Sequence, residues 1–152
     1  MIKSHILTHT WGIEVRSPFR EGIDPENRRV LDQRGEYRCI GRFSLVAKRG
    51  KAVPANKTID RVAFSTSADS VSLSIHRTMS DTVPEYADDP GCAEVGVNIL
   101  PCRRVGEKIN YSFLFSEMVH VACSNESGVA EKTQVDYTAG CMQKSGKKKQ
   151  IK

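Results

Sequence analysis

The stretch that decides the fold is Phe64-Ser65-Thr66-Ser67-Ala68-Asp69-Ser70-Val71-Ser72-Leu73-Ser74-Ile75-His76-Arg77. In its second half Val71, Leu73 and Ile75 alternate without a slip with Ser70, Ser72, Ser74 and His76. A strand turns successive side chains to opposite faces, so the alternation predicts one apolar and one polar face. Val62 and Phe64 start a similar alternation upstream. The small or polar residues Ser67, Ala68, Asp69 and Ser70 between the two runs suit a loop. The expectation is a hairpin with an inward apolar stripe. Such a hairpin is the core of a β-sandwich or, in a sharper reading, the floor of a groove for an extended peptide.

Working outward, Leu7, His9, Trp11, Ile13 and Val15 share one parity and predict a strand, with Gly12 as a bulge or close-approach point and Ser17-Pro18 as its end. Residues 43–48, 59–65, 71–77 and 94–100 predict further strands, the last stopped by Pro101. Residues 109–115 and 118–123 pair around Ser116-Glu117, and 132–137 forms a last strand. Residues 19–41 are dense in charge, carry Gly22, Pro25 and Gly35, and predict a charged surface insertion (a loop over 16–42) with one helical turn after Asp24-Pro25-Glu26, Asp24 capping it. Residues 78–91 predict another loop, ending in the turn Asp88-Asp89-Pro90-Gly91. About eight short strands and no convincing amphipathic helix make this an all-β protein, an antiparallel β-sandwich.

The chain of 152 residues is sized for one domain, expected over 1–138. Its net charge of +5 is local, because the last nine residues hold five lysines and no acid; without them 18 basic residues face 18 acidic ones. Residues 139–152 are therefore expected to be a disordered basic tail, and nucleic acid is not an expected partner, since that needs a basic folded face. No run of about 18 apolar residues predicts a membrane span. Five cysteines without a C-x-x-C pair, and no N-terminal signal segment, predict reduced thiols in the cytoplasm, with no metal and no other cofactor. His5, His9, His76 and His120 lack any catalytic motif context, and His76 and His120 fall on polar strand parity, where surface positions are expected. No enzymatic activity is expected.

The order of these elements resembles the substrate-binding β-sandwich of the 70-kDa heat-shock chaperone family, the DnaK type. Trp11-Gly12-Ile13-Glu14-Val15, Val62-Ala63-Phe64-Ser65-Thr66 and Leu73-Ser74-Ile75-His76 resemble three of that family's strand segments, in order. Residues 109–113 and 120–122 fall where it has its next hairpin, and the charged insertion and the Asp89-Pro90-Gly91 turn look more like the divergent 12A-like branch. The resemblance implies a chaperone of the stress response that holds extended segments of unfolded proteins, one large aliphatic side chain entering a pocket. It places Ile13, Phe64, Leu73, Ile75 and Ile109 on that pocket and Val15 beside it. Arg16 and Ser67 take the positions that arch over the peptide, where the family commonly has methionine and alanine. An arginine there would change or close the arch, or favour acidic clients. Arg104 matches a lid-latching arginine. The ATPase domain and lid helices of the family have no counterpart in this sequence, so an isolated substrate-binding fragment is expected, its open groove free to self-associate. The alternative is a non-catalytic interaction module that uses residues 19–41 as its contact surface.

Overall fold

Alternation at period two becomes sheet when each apolar face finds another to cover it. The computed structural model describes residues 4–137. In chain order its strands are β1 (Ser4–Ile6), β2 (Thr10–Pro18), β3 (Arg29–Leu31), β4 (Tyr37–Ala47), β5 (Ala52–Pro54), β6 (Thr58–Phe64), β7 (Ser70–Thr78), β8 (Ala93–Pro101), β9 (Lys108–Phe115), β10 (Val119–Ser124) and β11 (Ala130–Val135). A five-stranded sheet runs β3-β4-β2-β7-β8, a four-stranded sheet runs β11-β10-β9-β6, and β1 and β5 form a short ribbon. Every pairing is antiparallel. The protein is an antiparallel β-sandwich, as its pattern predicted. The strands beyond the expected eight are β1, β3 and β5, each of three residues, too short for alternation to register.

The core lies between the two larger sheets. Trp11, Ile13, Leu73, Ile75 and Leu100 come from one side and Ile109, Phe113, Phe115, Val119 and Val121 from the other, all buried. Trp11 meets Phe113 and Phe115 edge-on, with ring centroids 6.4 and 5.8 Å away, the arrangement that aromatic quadrupoles favour. Gly12 is fixed by packing on the opposite face of β2. A Cβ there would lie 2.5 Å from the Phe43 ring and would strike the Ser44 carbonyl.

Three expectations are corrected. First, β6 and β7 do not form a hairpin. β6 pairs with β9 and β7 with β2 and β8, so residues 65–69 cross from one sheet to the other. The register sets Ala63 opposite Ile109 and Phe64 opposite Lys108. Paired residues share a face, so Ala63 turns inward and Phe64 outward, where 63% of it is exposed. Second, the charged insertion is not a loop. β2 runs through Pro18, a 3-10 turn occupies Glu26–Arg28, and β3 and β4 make a hairpin on the edge of the five-stranded sheet. The helical turn falls where expected, but Asp24 does not cap it. Third, His76 is buried, in register with the side-chain-free Gly12. The tail expected over 139–152, with Cys141, lies outside the described residues. Cys39, Cys92, Cys102 and Cys123 are free thiols.

Candidate functional site

The groove begins where the five-stranded sheet splits. β2 and β7 pair from Thr10↔Thr78 to Ile13↔Ile75, and there their register ends. β2 continues to Pro18 paired with β4, through a shift between Val15 and Ser17. β7, over Ser70 to Ser74, is paired with β8. In the β2–β4 shift two residues of β4, Ile40 and Gly41, stand opposite Arg16, with Gly41 at a φ of 75°, the form of a β-bulge. The edges facing across the split have no ladder partners in each other, and such edges present backbone N–H and C=O groups to an added strand.

The split opens a groove of about 850 Å³. Ile13 and Leu73 are at its floor, each almost wholly buried, with Val15 and Val71 half-buried beside them. Ala63, Phe64 and Tyr111 contribute from the four-stranded sheet. The crossover adds the hydroxyls of Ser65, Thr66 and Ser67, and β7 those of Ser70, Ser72 and Ser74. The outer, serine face of the deciding stretch thus lines the groove together with Val71 and Leu73 of its apolar face.

Ser65 makes the crossover rigid. Its hydroxyl donates to the Arg104 carbonyl at 2.7 Å and accepts from the Glu107 N–H at 3.1 Å. Its backbone bonds Glu107 and Gly106 at 2.9 and 2.8 Å. Glu107, buried below, accepts from the N–H groups of Arg103 and Glu126 at 2.7 and 3.1 Å. The Arg103 N–H first, and then that of Glu126, hold its carboxyl below the usual range against the cost of burial. The wall is therefore a connected polar network with its members satisfied.

The rim carries Arg16, Arg34 and Arg38. Arg38 is matched: its Nε lies 3.0 Å from Asp32, whose carboxyl is also held by the Glu36 N–H at 2.9 Å. The Glu36 N–H, then Arg38, keep Asp32 below the usual carboxylate range. Arg34 projects from the β3–β4 turn and donates to the Val105 carbonyl at 2.9 Å, joining the insertion to the β8–β9 loop across residues that line the groove.

Six of the eight residues expected to touch peptide line this groove: Ile13, Val15, Arg16, Phe64, Ser67 and Leu73. Ile75 and Ile109 do not. Both are fully buried in the core, Ile75 paired with Ile13 on the last closed rung and Ile109 opposite the inward Ala63. Arg16 and Ser67 both line the groove, yet no hydrogen bond joins them; the Ser67 hydroxyl accepts from the Asp69 N–H at 3.1 Å. Arg104 pairs with Glu126 at 2.8 Å.

Val71 and Tyr111 were legible, being on the same parity as the expected residues of β7 and β9. Arg34 and Ser65 had no local signal, because their partners lie 71 and about 40 positions away.

Most charges of the insertion are used inside the fold. Asp24, with its side chain fully buried, accepts from Arg20 and from the Tyr86 hydroxyl at 2.8 Å. The Arg20 guanidinium holds its carboxyl far below the usual range. Arg28 pairs with Asp88 at 2.7 Å and stacks on Tyr86, and Arg29 pairs with Glu26 at 3.2 Å.

Among the residues lining the groove there is no histidine or cysteine, and Glu14 is the lone carboxylate. Among the described residues no cluster of histidine, cysteine and carboxylate could hold a metal ion, and no helix is long and apolar enough to cross a membrane. Fold and site define an antiparallel β-sandwich with a groove at the split of one sheet. Compared with family models and with curated proteins, the chain matches none.

Proposed function

We propose that this sandwich binds extended polypeptide segments in the groove between β2 and β7, a non-catalytic, chaperone-type role of the kind that its resemblance to DnaK-type substrate-binding domains implies. The observation that carries the reading is the split itself. Two diverging strand edges offer backbone hydrogen bonds to an added strand, above a floor of Ile13 and Leu73 that favours an aliphatic side chain. Burying a leucine-sized side chain there contributes about 1.5–3 kcal/mol. The hydroxyls of Ser67, Ser72 and Ser74 can donate or accept, which suits main-chain contact with many sequences. A segment of a second copy meets the same chemistry, so self-association belongs to this reading as well.

The test is a titration of the folded protein with an unstructured, leucine-centred peptide, read by fluorescence anisotropy beside sedimentation to record the oligomeric state. Saturable binding is expected. Absence of binding at millimolar peptide, with the domain folded, would overturn the reading.

A further inference from the structure

We propose that the groove selects extended segments that carry aspartate or glutamate beside the apolar anchor, a preference that rests on the peptide-binding reading above. The charges lining the groove are Arg16, Arg34 and Arg38 against Glu14. Arg38 is neutralised by Asp32 at 3.0 Å, with Glu36 3.7 Å away. Glu14 Oε1 lies 3.3 Å from Nε2 of the buried His76, an atom that makes no hydrogen bond, so Glu14 stays among the groove's charges as one carboxylate facing three guanidinium groups.

Two guanidinium groups are left without a carboxylate. The Arg34 guanidinium gives one hydrogen bond, to the neutral carbonyl of Val105, and makes no ion pair among the described residues. Arg16 is exposed and makes neither a hydrogen bond nor an ion pair among the described residues. Asp69, the one acid of the 65–69 crossover, is not among the groove residues. Body charge is otherwise balanced, so this local excess is set by the groove rather than by a basic surface at large.

A strand added between β2 and β7 passes Arg16 on the β2 edge and Arg34 where the insertion meets the β8–β9 loop. Acidic side chains flanking its anchor meet planar donors in the geometry that carboxylates take. Lysine or arginine flanks meet like charge. Complementary charge of this kind sets specificity more than raw affinity.

The experiment uses the full chain and three labelled, unstructured peptides with one leucine centre and flanks of glutamate, glutamine or lysine. Glutamate flanks should bind about fivefold or more tighter than lysine flanks at low salt, the gap narrowing at ~0.5 M salt as exposed pairs are screened. Arg16→Glu, at an exposed position, should reverse the order, and Arg34→Gln should shrink the preference. Melting curves confirm that both variants fold. Equal affinity for the three peptides, or tighter binding of the lysine peptide, overturns the charge preference and leaves peptide binding standing. Binding of none removes both.

Discussion

At the scale of single residues, Gly12 and Phe64 carry the sharpest lessons. Gly12 lies on β2 where its neighbours Trp11 and Ile13 point into the core, and its own empty side is filled by the Phe43 ring and the Ser44 carbonyl. Close packing leaves such a site no room to relax. Gly12→Ala is expected to cost about 1–3 kcal/mol through overpacking, measured as a lower midpoint of urea unfolding with an unchanged slope. Phe64 teaches the reverse: an aromatic residue at a strand end reads as core, yet its register partner is Lys108 and it stands at the groove, mostly exposed.

At the scale of elements, β7 divides its own labour. From Ile75 onward it is closed against β2, and before that it borders the groove. Leu73 and Val71 share a parity but differ in burial, Leu73 almost wholly covered and Val71 half-buried. An aspartate in place of Leu73 would put a charge into the core without a partner, so Leu73→Asp is expected to unfold the domain. Val71→Asp is expected to keep the fold and weaken peptide binding at least tenfold. Circular dichroism and the anisotropy titration, run on both variants, check the pair; normal binding by a folded Val71→Asp would remove Val71 from the site. The β3–β4 hairpin is the other element whose role is not local. Its turn reaches the β8–β9 loop through Arg34, and Asp24, ahead of it, takes Tyr86 as a partner. Charges used this way hold the hairpin to the sandwich, and those left over for a partner are few.

At the scale of the whole molecule, three buried carboxylates among the described residues anchor the connections: Asp24 reaches Tyr86 and Glu107 reaches Glu126, while Asp32 closes the β3–β4 turn on itself. Each is held below its ordinary range, Asp24 chiefly by Arg20, Asp32 by the Glu36 N–H and Glu107 by the Arg103 N–H. A carboxyl whose folded pKa is depressed contributes stability that is complete above its unfolded value, near 4, and is lost as pH falls through the folded one. Melting temperature should therefore be flat near neutrality and decline from about pH 5 downward. Asp24→Asn, already without the charge, should melt lower at pH 7 and lose less on acidification. An unchanged acid slope in that variant would show that Asp24 does not contribute.

The sequence by itself determined the all-β class and the chain order of eight strands; six of the eight residues expected to touch peptide line the groove, while Phe64, expected inward, is mostly exposed. Period-two alternation is a local property, and it is enough to say which side chains share a face of one strand. Beyond the β9–β10 hairpin, which the Ser116-Glu117 turn marked, only the tertiary structure decided which strands pair. Residues 65–69 cross between sheets rather than turning a hairpin, residues 19–41 form an edge hairpin, and Ile75 and Ile109 are sealed in the core while Arg34 and Ser65 join the groove. Those outcomes rest on register and on bonds between residues some 40 to 70 positions apart. A local pattern tells which residues want burial; the partner that covers them, and the place where two strands part, belong to the folded chain.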